Sequence, residues 1–591
     1  MQAIAGTVGL APGFLEKQRM ETSHPMLAAM AGEAVLCQEG QPPERLDWQG
    51  ESYVLAFYGR LDNAQALRRQ LEKQGHVFHS HRQEEVVIHA YAAHGPGCTE
   101  QMEGPFSLAL WECRQRRLFL ARDPLGVKPL FYAQHQQGLL FAARLDTIFR
   151  YPTFQPQLDA QGAAELILLG PGRLPGSGIV RGVYEVKPGC RGYYCQGTLH
   201  LESYWHLTDG PHCHSMEETA CHVRQLVTQS IERQMDTQKP LGAFLSGGLD
   251  SSIVTAVCAG KLAQQGKGLD TFSLDYENNH RYFRANSFQP EEDGAYIQLM
   301  ASNCQTHHHT TVLGPEVLVQ SLEDAMTARG LPGMGDVDAS LLAFCREVGQ
   351  QAQVVLSGEC ADEIFGGYPW YRDREIRSRE GFPWAQNTRD RASLLHKAVP
   401  VDAEAFVMGA YRQCCRESDL LPDQPQEEKR MKEMVNLNLR YFMQTLLDRS
   451  ETMGAMAGVE IRVPFCTPEI AQYLYRVPWE MKDWQGREKG LLRKAMEGLL
   501  PEPVLYRKKS PYPKTYDPRY ETLVKTQLEP LLAQPGAPIW NLLDREGVTN
   551  YLSGESRWPW YGQLMRKPQF MAYLLQIGYW LDRYHINFTF S

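Results

Sequence analysis

The chain has 591 residues, 43% of them apolar, and a formal net charge of −9. That length exceeds the roughly 100–200 residues of a typical domain, so two or more cores are expected. The acidic balance disfavours nucleic acid as the main partner, because phosphate binding needs concentrated Lys and Arg. No apolar run reaches the roughly 18 residues of a membrane span, so no membrane association is expected.

The opening residues Met1-Gln2-Ala3-Ile4-Ala5-Gly6 lack the charged-then-apolar order of a secretory signal. The 14 cysteines show no C-x-x-C pair or zinc spacing and read as reduced thiols, which together point to a cytoplasmic protein. The first stretch reads as mostly β. Apolar runs at Tyr53–Tyr58, Phe106–Trp111, Leu118–Ala121 and Leu139–Ala142 are separated by Gly, Pro and charged turns. Ala64–Gln74 and Gln83–Ala93 carry helical spacing. After Tyr204-Trp205 a polar stretch marks a boundary, which predicts a first domain over 1–205, a linker over 206–215 and a second domain over 216–591. There a helix at Met216–Asp236 leads to a strand at Leu241–Leu245, a helix through Lys261, and strands at Asp270–Asp275 and Val354–Leu356. Strands alternating with helices predict a parallel sheet covered on both faces, with ligands at the carboxyl ends of its strands.

The first of those ends carries the strongest motif, Leu245-Ser246-Gly247-Gly248-Leu249-Asp250-Ser251-Ser252. Glycines let backbone N–H groups approach an anion, the three serines add donors, and the following helix supplies positive potential. Asp250 would repel a phosphate directly, so its expected role is to hold Mg2+. A lone Ser-Gly-Gly is usually an ordinary capped turn; the whole string after a buried strand is not. No Gly-Lys-Ser/Thr closes it, so it is not a P-loop. It resembles the pyrophosphate loop of ATP pyrophosphatases, which implies cleavage of ATP between its α and β phosphates. A second string, Ser357-Gly358-Glu359-Cys360-Ala361-Asp362-Glu363 with Gly366-Gly367, follows another strand and offers one carboxylate as base and another as metal ligand.

Both strings resemble those of glutamine-dependent asparagine synthetases. The likeness extends to Ala121–Leu130, Leu331–Met334 with Asp336 and Asp338, Arg462–Phe465 and Arg507–Pro513. It implies an α+β, Ntn-hydrolase-like αββα sandwich followed by an α/β parallel-sheet ATP pyrophosphatase domain with additional helices. It places Leu245 and Ser273 beside the adenosine, with Ser357 and Gly358 near it. Asp250 and Asp362 match the magnesium ligands, and Glu359 the carboxylate that deprotonates the incoming amine. Lys509 matches the lysine that neutralises charge on the adenylate.

The same resemblance exposes losses. The family's glutaminase nucleophile is a cysteine directly after the initiator Met, and here that position is Gln2. Its Asn-Gly-Glu motif is matched by Tyr58-Gly59-Arg60, and the aspartate that holds the glutamine amine by Gln83. The first domain is therefore expected to be a structural remnant, and Cys37 a buried thiol. Near the acceptor pocket an Arg and a Ser of the family are replaced by Thr452 and Gly454, which removes donors for a substrate carboxylate. Expected substrates are aspartate or a related carboxylate with ammonia or an amine, and ATP. Asparagine formation with ammonia leads. An amide or lactam ligase on another pair stays open, as does a catalytically silent regulator. The oligomeric state is open too, a homodimer included.

Overall fold

A computed structural model of the chain describes residues 3–10, 26–283, 285, 291–554 and 559–590. It divides into two compact units, one of residues 1–162, 174–206 and 584–589, the other of 163–173, 207–583 and 590–591. Among the described residues no helix is long and apolar enough to cross a membrane.

The first unit holds β1 (Ile4–Val8), β2 (Met26–Ala31), β3 (Ala34–Glu39), β4 (Glu44–Trp48), β5 (Glu51–Gly59), β6 (Phe106–Glu112) and β7 (Arg117–Arg122). After these come β8 (Phe131–His135), β9 (Gly138–Ala142), β10 (Gln157–Asp159), β11 (Val183–Glu185), β12 (Cys190–Cys195) and β13 (Thr198–Ser203). All but β10 form two six-stranded antiparallel sheets, ordered β11-β8-β9-β1-β3-β2 and β13-β12-β7-β6-β5-β4, while β10 pairs in parallel with the short strand Asn587–Thr589. Side chains alternate across β5. Val54, Ala56 and Tyr58 enter one core with Leu36 and Phe141 of the facing sheet. Leu55 and Phe57 enter a second core against Leu67, Leu71, Val87 and Ile88 from helices Ala64–Lys73 and Gln83–His94. Covered on both faces, β5 has no wet side, so its sequence reads as an unbroken apolar run. The unit has the α+β layering expected of it.

In the second unit helix Met216–Gln234 begins with a capping box, in which Ser215 and Glu218 satisfy each other's backbone N–H groups. The sheet that follows contains β14 (Leu241–Phe244), β15 (Asp270–Tyr276), β16 (His307–Leu313), β17 (Val354–Leu356) and β18 (Glu460–Arg462). All neighbours are parallel, in the order β16-β15-β14-β17-β18. This is the α/β sheet expected from the strand–helix alternation. Its two outer strands were not legible beforehand. β16 is a half-exposed edge of consecutive histidines and threonines, and β18 is only three residues long. The central position of β14, between β15 and β17, brings the ends of three strands to one cleft.

Candidate active site

Directly after β14 the chain turns through Ser246 and Gly247 into helix Leu249–Ala263. Gly247 has φ +68°, and a Cβ there would lie 2.7 Å from the Tyr296 Cβ and 2.8 Å from the Ile297 nitrogen. Glycine is therefore required at that point. The turn is tied internally. Ser246 N donates to Ser251 Oγ at 3.2 Å, Ser251 Oγ donates to the Gly248 carbonyl at 3.2 Å, and Gly248 N donates to Ser246 Oγ at 3.4 Å. Gly358, at the end of β17, packs straight onto this loop. A Cβ on it would meet the Ser251 nitrogen at 2.7 Å and the Asp250 Cβ at 2.8 Å. The two sequence strings thus form one site because a glycine lets their backbones touch.

Most of the expected nucleotide residues line a single cavity: Leu245, Ser246, Gly248, Asp250, Ser251, Ser273, Ser357 and Gly358. Glu359, Asp362 and Lys509 line it too. Two do not. Gly247 acts through its backbone geometry, and Ser252 is fully buried behind the loop. Ser273 Oγ is held by His308 Nε2 at 2.9 Å and Thr310 Oγ1 at 3.2 Å, both from edge strand β16.

The charges in the cavity are arranged around a lysine that carried no sequence signal. Lys489 Nζ lies 2.5 Å from Asp250 Oδ2 and 2.7 Å from Asp362 Oδ1, and is almost fully buried. Lys509 Nζ takes the other Asp362 oxygen at 2.5 Å and sits 5.0 Å above the Tyr368 ring. Gly367 leaves room for this, since a Cβ there would fall 1.9 Å from Asp362 Oδ1. Burial alone would raise the Asp362 carboxyl, but two ammonium groups outweigh it and hold the group well below the usual carboxylate range. Asp250 has its main support from Lys489 alone, and there burial wins and pushes the carboxyl up. Burial would also lower Lys489, yet Asp250 and Asp362 together keep its ammonium above the ordinary lysine value. Beside them Glu363 is raised to about 7, first by burial and then by the charge of Asp362, while the Tyr368 hydroxyl donates to it at 2.7 Å.

These carboxylates also suit a magnesium ion. Asp250 Oδ1 is buried with no hydrogen-bond donor from the protein, and oxygens of Asp250 and Asp362 reach the same ammonium group. Hard oxygen ligands of this kind suit Mg2+. Among the described residues no group of three or more His, Cys, Asp or Glu is set to hold a metal. Two carboxylates would leave the remaining coordination to phosphate oxygens and water, as magnesium commonly has it.

Glu359 is held by partners other than the lysines. Its Oε1 accepts from Arg449 Nη1 at 3.1 Å and its Oε2 from the Ser450 hydroxyl. Neither partner was singled out from sequence. A string such as Asp448-Arg449-Ser450-Glu451 reads locally as a helix surface.

The first unit shows the surroundings of the residues expected at the glutaminase positions. Tyr58 is in the core between the sheets, with Lys128 Nζ 4.7 Å above its ring. Arg60 pairs with Asp62 at 2.8 Å, and Gln83 Oε1 accepts from the Leu61 nitrogen at 2.9 Å. Gln2 lies outside the described residues. Cys37 is fully buried, and burial pushes its thiol up to about 12, which leaves it unreactive.

A phosphate-ready turn, two carboxylates and two ammonium groups in one cavity at the carboxyl end of a parallel sheet define a nucleotide-dependent enzyme. Comparison with known proteins makes the class specific. Residues 222–582 match the asparagine synthase family, and residues 22–205 match the glutamine amidotransferase domain. The chain is 40% identical over 554 residues to asparagine synthetase (glutamine-hydrolyzing) 3 of Bacillus subtilis, covering 93% of this chain and 90% of the relative. It is 25% identical to asparagine synthetase (glutamine-hydrolyzing) 1 of the same organism over 80% of this chain and 77% of that one. It is also 25% identical to the Rattus norvegicus enzyme of that name, over 78% and 71%. The chain belongs to the asparagine synthase family. It is a C–N ligase, of a family whose cosubstrate is ATP.

Proposed function

We propose that this ligase activates a carboxylate as its adenylate and then forms an amide, most closely asparagine from aspartate and free ammonia, with a silent glutaminase unit. The observation that carries the reading is the Asp250–Lys489–Asp362–Lys509 array beside the Ser246–Ser251 turn, with Glu359 in the same cavity on a separate ion pair with Arg449. Backbone N–H groups and hydroxyls of the turn bind the ATP phosphates. Asp250 and Asp362 would hold magnesium, which when bound supplies charge neutralisation on the departing pyrophosphate. Lys489, already between them, stabilises the same region. A substrate carboxylate oxygen attacks the α-phosphorus, the α–β bridge bond breaks, and Lys509 offsets the charge that builds on the adenylate. Ammonia, or an amine, then attacks the acyl carbon. Its N–H proton passes to Glu359, the C–N bond forms, and AMP leaves with the electrons of the C–O bond.

The similar Bacillus subtilis proteins are named as glutamine-hydrolyzing. Against glutamine use here stand Gln2 in place of the family's cysteine and the filled positions Tyr58, Arg60 and Gln83.

A second reading, amide or lactam formation on another carboxylate and amine, is favoured by one observation. From the stretch Asp448–Met456 only Arg449 and Ser450 line the cavity, and both bind Glu359. The Thr452 hydroxyl donates to the Asp448 carbonyl at 2.6 Å, and Glu451 is buried. The deciding experiment is pyrophosphate release from ATP across a panel of carboxylates, with ammonium and glutamine supplied separately. Release of ADP and phosphate instead would defeat both readings; no turnover with any carboxylate would favour a silent regulator.

A further inference from the structure

Glu359 is fixed by groups that are themselves fixed. The Arg449 side chain is buried, with Nε and Nη2 donating to the Val337 carbonyl at 3.3 and 3.1 Å and Nε lying 3.6 Å from Asp338 Oδ1. The Tyr512 ring covers its guanidinium at 4.2 Å, and the Tyr512 hydroxyl lies 3.3 Å from Ser340 Oγ. This leaves Nη1 aimed at Glu359 with no freedom to choose another partner. Ser450, the next residue, is buried and places its hydroxyl on the second carboxylate oxygen. Both belong to helix Met443–Met456, which continues without a break from a π-helical turn at Asn438–Phe442. A π turn inserts an extra residue and rotates everything after it by about 100°, and such turns concentrate at functional sites. That rotation sets which residues of the helix reach Glu359.

We propose that Arg449 and Ser450 are positioning residues for the amide-forming half of the reaction. They hold both Glu359 oxygens as acceptors and fix the carboxylate where the attacking nitrogen sheds its proton. This rests on the adenylating reading and adds a division of labour to it. Activation of the carboxylate depends on the lysine–aspartate array, whereas nitrogen attack depends on this clamp. The clamp is built from rigid parts because a proton acceptor displaced by about 1 Å loses much of its advantage.

The experiment compares Ser450→Ala, Ser450→Thr and Arg449→Lys in the full chain, with aspartate as probe carboxylate and ammonium as nitrogen source. Aspartate-dependent exchange of labelled pyrophosphate into ATP reports activation and the integrity of the fold, and asparagine formation reports nitrogen attack. Exchange by the native chain checks the parent reading separately. In Ser450→Ala, exchange and the KM for ATP should stay at native values while kcat for amide formation falls roughly tenfold to a hundredfold, the loss of one charge-assisted hydrogen bond. Ser450→Thr, which keeps the hydroxyl, should recover most of it. Arg449→Lys should show the same split. Equal loss of both half-reactions in Ser450→Ala, or loss of neither, would overturn the assignment, as would a Ser450→Thr chain no better than Ser450→Ala.

Discussion

The Lys489 ammonium lies 2.5 Å from Asp250 although 239 residues separate them in the chain. It also reaches Asp362, so one buried cation joins the phosphate turn to the second acidic string. Lys489→Met should leave the Asp250 and Asp362 carboxylates without the cation that joins them, with Lys509 still paired to Asp362. Removing one partner of a buried ion pair typically costs about 3–5 kcal/mol. The expected outcome is a destabilised chain, read by denaturant unfolding, with carboxylate-dependent pyrophosphate exchange lost. Lys489→Arg should retain part of the stability, since it keeps the charge.

The two acidic roles separate by half-reaction. Asp250→Asn should abolish pyrophosphate exchange, because it weakens the proposed metal ligand and the Lys489 pair together. Glu359→Gln should leave exchange within a few-fold and reduce amide formation by a hundredfold or more, of the order seen when a general base is removed. Isotope exchange and product assays on the same preparations check both.

Gly358→Ala tests the contact between the two strings. Its Cβ would collide with the Ser251 nitrogen and the Asp250 Cβ, which are backbone and near-backbone atoms that cannot swing aside. ATP affinity measured by calorimetry should drop at least about tenfold, with a loss of roughly 1–3 kcal/mol in stability from overpacking. Gly260→Ala, on the same helix as Asp250, has open space around its Cβ and should be neutral or stabilising by up to about 1 kcal/mol.

The buried Glu451 should impose a pH dependence on stability. Burial, then the neighbouring Glu460, raises its folded value to about 8, against an ordinary value of 4.5. The folded state therefore holds this proton more tightly than the unfolded chain does. The contribution is fully present below about pH 4.5 and is lost as pH rises towards 8, with a slope approaching roughly 1.4 kcal/mol per pH unit inside that window. Unfolding free energies of Glu451→Gln measured across the window should show that slope removed; an unchanged slope would place its source elsewhere.

On the proposal of a silent glutaminase, a cysteine at position 2 should not by itself give glutamine hydrolysis. In Gln2→Cys, glutamate release from glutamine should stay at background, because Tyr58 is packed in the core, Arg60 is paired with Asp62, and Gln83 is bound to the Leu61 backbone. Gln2→Ala and Cys37→Ser should leave ammonia-dependent turnover unchanged.

The motifs legible in sequence were those whose chemistry is local. Ser246–Ser252 and Ser357–Asp362 announce themselves because glycines, hydroxyls and acids must be adjacent in the chain to build an anion turn at a strand end. The run Tyr53–Tyr58 was legible as a strand because both faces of that part of β5 are covered, which favours consecutive apolar residues. Lys489 could not be found this way. It stands in Arg487-Glu488-Lys489, a charged triplet that by itself describes a solvated surface. Arg449 and Ser450 lie in a stretch read as near the acceptor pocket, but their grip on Glu359 depends on a strand end 90 residues away, and the loop string says nothing about which hydroxyl turns inwards, as that of Ser252 does.

Taken alone, the order of residues determined the two-part α+β and α/β organisation, the anion turn, the acids beside it and the residues Gln2, Tyr58, Arg60 and Gln83 on which the proposal of a silent glutaminase rests. Only the tertiary structure decided which distant cations meet those acids, and which groups grip Glu359. The physical reason is range: a turn is specified by the torsional freedom of its own few residues, whereas a buried charge finds its partner through packing between segments hundreds of residues apart.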